Sequence, residues 1–242
     1  MLRRIDDPAI AAAANMARDE ALLLGDSTAL RLYGWSPHSV SLGYFQPLAD
    51  FADLAEAIPV VRRLTGGGAI FHGDELTYAL ALPASALPPD VEASYALIHD
   101  AIVDALKSIG VKSLRLQHGS AQSPRAKSRW CFFEAGRHDI VDREGRKLVG
   151  SAQRRVRTAR GPRVLHHGSI VIRRPPMTPF VAAIEDQAPA FCEATLRECL
   201  AQRLAAALGM EMRPDALTSA EDQMAAILRR DRYDRDAHTA MR

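Results

Sequence analysis

The 242-residue sequence has only three cysteines, an odd number without the paired spacing of a metal site. It therefore carries no disulfide framework, and a reducing, cytoplasmic setting is expected. No stretch approaches the roughly 20 apolar residues of a membrane span. The N-terminus, Met1 to Asp7, is charged and lacks the apolar core of a secretion signal. Internal repeats and a domain-scale linker are also missing. The sequence has one glycine cluster, and neither phosphate-loop spacing, G-x-x-x-x-G-K-[ST] or G-x-G-x-x-G, fits it.

What remains is an ordinary globular composition, 48% hydrophobic and 25% charged, long enough for one large domain. The net charge is only +2 but unevenly spread: residues 125–163 hold twelve Lys/Arg against four Asp/Glu. That asymmetry predicts a local basic surface suited to an acidic partner.

The glycine cluster lies in Arg62-Arg63-Leu64-Thr65-Gly66-Gly67-Gly68-Ala69-Ile70-Phe71-His72-Gly73. Three glycines in a row permit positive φ and let main-chain N–H groups approach a ligand closely. Two arginines ahead of them suit an anionic or carbonyl-bearing ligand; the plain alternative is a loose surface turn.

Along the chain, Asp7-Pro8 reads as the cap and first turn of a helix running to Leu24. Short apolar runs at Ala29–Trp35, Ser39–Tyr44, Val60–Arg63 and Leu76–Leu82 predict strands. Residues 95, 98, 102, 106 and 109 mark a helical face ended by Gly110. A short strand is expected over Ser113–Leu116, and a polar loop over Gln117–Arg129. His138–Asp142 and Lys147–Gln153 flank a turn with Gly145 at the left-handed position. An arginine-rich loop then leads to a last strand, Val164–Ile172. An amphipathic helix follows over Glu193–Leu208, with Cys192 and Cys199 read as core. The order of elements predicts an α+β fold, a mixed, largely antiparallel sheet flanked by helices. Residues 1–210 are expected as a single catalytic domain, with 211–242 a short helical, charged extension.

Three blocks in this order and spacing resemble the biotin/lipoate protein ligase and lipoyl/octanoyl transferase superfamily. They are Arg62-Arg63-x-Thr65-Gly66-Gly67-Gly68-Ala69-x-Phe71-His72 with Glu75–Tyr78, then Gly145–Arg154, then Leu165–Ile170. Asn15–Glu20, Tyr33–Trp35 and Gly43–Gln46 are similar too, so the resemblance covers residues 10–175. It implies enzymes that attach acyl groups to lysines. By that resemblance Arg63, Gly66, Gly67, Gly68, His72, Gly150, Ser151, Ala152 and His167 line the acyl ligand. Lys147 would aim its ammonium at the acyl carbonyl, where developing charge is stabilised; otherwise it is a solvated strand lysine. Cys131 matches the nucleophile of one octanoyltransferase branch, holding the acyl group as a thioester; otherwise it is a small buried hydrophobe. Arg154, Arg155 and Arg157 would grip a carrier or its phosphate; nucleic acid is the competing reading, disfavoured because no groove-reading or stacking motif accompanies them. His166 and His167 fall on opposite strand faces, so no metal site is expected there.

The activity so implied is transfer of octanoate from octanoyl-acyl carrier protein to a lysine of a lipoyl-domain protein. Acceptors would be of the glycine cleavage H protein or 2-oxoacid dehydrogenase E2 type. The donor is already activated, so no cofactor is required, and neither nucleic acid nor membrane is an expected partner. Gly136-Arg137-His138-Asp139, similar to the ligases' Gly-Arg-Asn-Asp, keeps an alternative open: a lipoate-protein ligase using ATP and Mg to make lipoyl-adenylate. A non-catalytic acyl- or carrier-binding relative is the third reading.

Overall fold

Adjacent strands bury both of their faces, and the sequence shows how. Leu30, Leu32, Leu80 and Leu82 point into one core, while Ala29, Tyr33, Ala79 and Ala81 alternate into another. Large side chains on one side and the small Ala29, Ala79 and Ala81 on the other leave room for a closely packed helix on the alanine face. Each fully buried leucine contributes about 1.5–3 kcal/mol to this arrangement.

The computed structural model describes residues 1–117 and 128–241. In chain order the elements are β1 (Leu2–Ile10), α1 (Ala12–Leu24), β2 (Ala29–Trp35), β3 (Ser39–Leu42), α2 (Ala52–Ala55), β4 (Val60–Arg62), β5 (Ile70–His72), β6 (Glu75–Pro83) and α3 (Val91–Ser108). They continue with β7 (Arg115–Leu116), β8 (Ile140–Val141), β9 (Lys147–Thr158), β10 (Gly161–Val171), α4 (Glu193–Ala207), β11 (Met212–Asp215), α5 (Ser219–Leu228) and α6 (Asp236–Thr239). Eight strands form one sheet in the order β11-β1-β2-β6-β10-β9-β8-β7, and β4-β3-β5 form a second. Pairing is parallel at β11–β1, β1–β2 and β3–β4 and antiparallel elsewhere. The architecture is α+β with a mixed, mostly antiparallel sheet flanked by helices. Helix α1 packs on the alanine face; α3 and α4 cover the leucine face. No helix among the described residues is long and apolar enough to cross a membrane.

Several local expectations change. Asp7-Pro8 is not a helix start: Leu2 and Ile5 are buried in the two cores, and β1 carries the chain to Ile10 before α1 begins. Pro8 falls where the β1–β2 register shifts, a place that tolerates its missing N–H. The arginine-rich segment is no loop. Residues from Arg154 to Thr158 continue β9 and pair with β10 in regular antiparallel register. The expected Ser113–Leu116 strand shortens to Arg115–Leu116, and β5 was not anticipated. Most of the expected polar loop, residues 118–127, lies outside the described residues. Cys192 is exposed at the start of α4, not in the core, and Cys199 is half-buried. Helix α3 starts earlier than its apolar face suggests, because the Asp90 side chain accepts the Ala93 N–H at 2.7 Å and caps it.

Residues beyond 210 contain a strand and two further helical turns besides α5. They are tied to the first strand by Arg3, whose guanidinium donates to both oxygens of Glu221 (2.7 and 3.0 Å), to Asp215 and to the Ala216 carbonyl. Burial alone would raise the Glu221 carboxyl; Arg3, the Thr218 N–H and the Ser27 hydroxyl outweigh it and bring it down to about 2. A depressed carboxyl stabilises the fold above its unfolded value near 4.3 and loses that contribution as pH falls toward 2. Glu221→Gln should therefore lower unfolding free energy by about 1–3 kcal/mol at neutral pH. In urea titrations the deficit should close as the wild type approaches pH 2; a pH-independent difference would contradict the assignment.

Candidate active site

The glycine turn has its shape because backbone passes against backbone. A Cβ on Gly43 would stand 1.9 Å from the Gly67 carbonyl oxygen, and one on Gly68 would stand 2.7 Å from the Cys131 nitrogen. Gly67 adopts φ +96°, which side-chain-bearing residues rarely hold. Arg63 fastens the turn from inside. All five of its N–H groups are engaged, by the carbonyls of Ser41, Gly66 and Gly68 and the hydroxyls of Ser41 and Thr65. Burial lowers the Arg63 pKa, with Cys131 acting in the opposite direction.

The segment carrying Cys131 is stitched to the same turn. Ala69 N–H donates to the Arg129 carbonyl at 2.9 Å, and Cys131 N–H donates to the Ala69 carbonyl at 2.8 Å. The thiol thereby reaches the wall of a cavity of about 300 Å³. Lys147, at the start of β9, extends its ammonium to within 3.5 Å of Cys131 Sγ. Its other neighbours are the Cys131 carbonyl at 3.3 Å and Asp139 Oδ2 at 2.7 Å. The Phe132 ring lies 4.9 Å beneath it. Burial would lower the lysine pKa, but Cys131 and Asp139 outweigh it and hold it above its usual value. The lysine is a buried cation beside a sulfur and not the solvated strand lysine of the plain alternative.

The rest of the cavity wall is polar but saturated. His72 Nδ1 meets Glu75 Oε1 and its Nε2 meets Ser41 Oγ, each at 2.7 Å. Thr77 and Ser169 donate to that same Glu75 oxygen, and the Trp35 indole donates to Thr77. The Trp35 ring stacks on His72 with centroids 3.6 Å apart. His167 joins Thr65 of the glycine turn to Asp19, and Asp19 also receives Arg31 and Tyr33. Burial would raise the Asp19 carboxyl; His167 and Arg31 hold it below the usual range. On the α3 side, Ser151 bridges His99 (2.8 Å) and Tyr78 (2.6 Å). Burial brings His99 down to about 4, so it is neutral; one ring nitrogen faces the His138 carbonyl and must carry the proton. The other nitrogen accepts, so the Ser151 hydroxyl donates to it.

Of the residues chosen from sequence, Cys131, Arg63, Gly66, Gly67, His72, Gly150, Ser151, Ala152 and His167 line this one cavity. Gly68 backs the Cys131 main chain, and Lys147 reaches the thiol from behind. Arg154, Arg155 and Arg157 do not form one grip. Arg155 turns to the α3 side, donating to Ser94 and to the Pro88 and Pro89 carbonyls, while Arg154 lies over the Tyr44 ring on the other face. All three are exposed, and none has a carboxylate partner among the described residues. His166 and His167 do point apart, toward Tyr78 and Asp19 respectively. Trp35, Ser41, Thr77, Tyr95 and Ser169 also line the cavity without having been foreseen. Three of them sit in or beside the quoted sequence blocks, but no spacing announces a wall residue. Among the described residues no three His, Cys, Asp or Glu side chains are grouped to hold a metal.

Residues 11–198 match the family described as the lipoyl protein ligase A/B catalytic domain. The chain belongs to that family. Within it, the chain is 34% identical over 253 residues to octanoyltransferase LipM of Kyrpidia tusciae, covering 90% of each. It is 32% identical over 254 residues to octanoyltransferase LipM of Symbiobacterium thermophilum, again covering 90% of each. Among solved structures it is similar to a lipoate-protein ligase A bound with ATP, with a TM-score of 0.78, 22% identity and 98% of both chains covered. A bipartite lipoate protein ligase of Thermoplasma acidophilum gives 0.76 at 21% identity, over 100% of this chain and 96% of that one. At those identities the two structures establish the shared fold.

The close approach of Gly43 to the glycine turn makes a prediction. Gly43→Ala should lower unfolding free energy by about 1–3 kcal/mol, because a backbone carbonyl, not a flexible side chain, must move. A urea titration showing a change below about 0.5 kcal/mol would contradict this packing.

Proposed function

We propose that this protein is a cysteine-dependent octanoyltransferase of the protein lipoylation pathway. The observation that carries the reading is a thiol at the wall of an acyl-sized cavity, 3.5 Å from a buried ammonium. Two curated octanoyltransferases matched along nine-tenths of their length support it.

In the first half-reaction the Cys131 thiolate attacks the thioester carbonyl of octanoyl-acyl carrier protein. A new C–S bond forms, the carrier's thiolate leaves, and the octanoyl group stays on Cys131. In the second, the neutral ε-amine of a lysine on a lipoyl-domain protein attacks that thioester. The C–N bond forms, the Cys131–acyl bond breaks, and the amine's surplus proton passes to solvent. Splitting the transfer places a thioester exchange before the aminolysis, so that the amine attacks an acyl group already held in the site. Lys147 steadies the anionic sulfur at the start of the first half-reaction, before the acyl group is attached, and at the end of the second, once the acyl group has left. An acyl group on Cys131 would lie beside the glycine turn and the Gly150, Ser151 and Ala152 segment, which line the same cavity. No ATP enters, since the donor is already activated. The exposed arginines of β9, without carboxylate partners among the described residues, supply cations for an acidic carrier or its phosphate.

Lipoate-protein ligase chemistry is the competing activity on this fold, and a passive acyl-binding relative is the third. Incubation with octanoyl-carrier protein in the absence of ATP, followed by intact-mass measurement, separates the transferase from the other two, and transfer of free lipoate to a lipoyl domain with ATP and Mg separates the ligase from the passive relative. The transferase acquires one octanoyl adduct, which Cys131→Ser loses. Transfer to a lipoyl domain by that variant should fall by at least roughly 10³-fold while its thermal melt is unchanged. Wild-type transfer by the serine variant would rule out a covalent cysteine.

Lys147→Met separates catalysis from packing. It leaves Asp139 without its cation, so a lowered but still cooperative melt is expected. Single-turnover transfer should drop by roughly 10²-fold, the scale of losing one electrostatic stabiliser. Near-normal transfer by the folded variant would remove Lys147 from the site.

A further inference from the structure

The Lys147 ammonium has three hydrogens and three neighbours, and the neighbours are unequal. Its two contacts with Cys131 are long, 3.3 Å to the carbonyl and 3.5 Å to the sulfur. The contact with Asp139 Oδ2 is 2.7 Å and charge-assisted. A flexible four-carbon side chain is oriented by its short, strong bond, and here that bond comes from the carboxylate.

Asp139 is itself held on several sides. Its Oδ2 accepts the Gly136 N–H at 2.7 Å, its own N–H donates to the Gly136 carbonyl, and its carbonyl accepts from the Gln117 N–H. The preceding residue, His138, has φ 70° and is the one non-glycine residue at positive φ among those described. That conformation costs on the order of 1 kcal/mol and persists where its surroundings enforce it. His99 of α3 supplies the enforcement by donating to the His138 carbonyl. The carboxylate and ammonium are both nearly excluded from water, with side chains 10% and 4% exposed.

We propose that Asp139 is a positioning residue, the third member of a Cys131–Lys147–Asp139 triad in which the carboxylate aims the lysine ammonium at the sulfur. The inference rests on the octanoyltransferase reading for its rate measurement only; the geometry bears on any reaction of the thiol. Asp139 plays toward Lys147 the part that a buried carboxylate plays toward histidine in a serine hydrolase: it orients and stabilises the charged partner without touching substrate.

The test is a double-mutant cycle over wild type, Asp139→Asn, Lys147→Met and the double variant. Two rates are read for each: single-turnover acylation of Cys131 by octanoyl-carrier protein, and alkylation of Cys131 by iodoacetamide. Asp139→Asn should slow acylation by roughly 10²-fold in the wild-type background, the scale of a displaced catalytic group. In the Lys147→Met background it should change neither rate, because the group it positions is gone. The sign of its pH effect follows from the lysine. Losing the carboxylate lowers the ammonium's pKa, so the alkaline fall in acylation should begin at lower pH in Asp139→Asn than in wild type. Asp139→Glu, which keeps the charge, should recover part of the rate and serves as the probe if Asp139→Asn does not fold. Wild-type acylation by a folded Asp139→Asn, full acylation by Asp139→Glu in place of a folded asparagine variant, or equal losses in both lysine backgrounds would each overturn the proposal. Failure of the wild type to form any acyl-enzyme would instead refute the transferase reading, with the alkylation cycle still deciding the triad.

Discussion

A buried guanidinium with no carboxylate partner among the described residues anchors the site. Arg63 is 3% exposed, and its charge is met by carbonyl and hydroxyl oxygens drawn from β3 and from the glycine turn itself. Desolvating such a charge is expensive unless every donor finds an acceptor. The turn can therefore adopt few other shapes while Arg63 stays inside. Because the Ala69 carbonyl of that turn also accepts the Cys131 N–H, the same constraint sets the position of the thiol. The consequence is electrostatic as well as steric. A Cβ on Gly67 would lie 3.0 Å from an Arg63 nitrogen and 3.9 Å from Cys131 Sγ, so the sulfur approaches one buried cation across the glycine and a second, Lys147, directly. Neighbouring Arg62 extends the anchoring outward, holding the Gly43, Tyr44 and Gln46 carbonyls on one side and those of His238 and Thr239 on the other. The end of the chain is thereby joined to the rim of the glycine turn.

The elements that meet at the cavity were legible because their residue types are costly anywhere else. A run of three glycines sacrifices backbone entropy, and a lysine ahead of Gly150-Ser151-Ala152 sits where a strand is otherwise apolar. The fold class followed from the order of apolar runs. What misled was local chemistry that tertiary pairing overrode. Asp7-Pro8 has the form of a helix start, yet Leu2 and Ile5 belong to two cores and draw the segment into the sheet. Five arginines between 154 and 163 resemble a solvated loop. Within them Val156 packs into the α1-side core, and Arg163 is buried with its donors on the Leu22, Leu23 and Ser27 carbonyls. Extended pairing places successive arginines on opposite faces, which no count of charge reveals. Asp139 was visible only as part of a motif; it follows His138, a left-handed residue with no glycine to mark it, and its partner Lys147 lies beyond the next turn.

The polar lining of an acyl cavity needs a physical account, since a hydrocarbon chain gains nothing from hydroxyls and imidazoles that want water. Here much of that demand is met within the protein. Glu75 Oε1 collects donors from His72, Thr77 and Ser169, both nitrogens of His72 and of His167 are engaged, and Tyr33, Trp35, Ser151 and Arg63 donate to protein acceptors. Buried side-chain polar atoms without a partner, among the described residues, are Ser39 Oγ, His138 Nε2 and His238 Nε2, and none of these residues lines the cavity. Side chains whose donors and acceptors are paired with one another present ring faces and methyl groups to the space they enclose, and offer few polar groups to water there. Displacing that water by an alkyl chain loses few hydrogen bonds and gains the burial of each methylene, about 0.8 kcal/mol apiece. The same rigidity that saturates the wall keeps Ser151 and the glycine turn at fixed distances from Cys131, so the network that makes the cavity hospitable to a chain also holds the groups around the thiol that would act on the chain's carbonyl end.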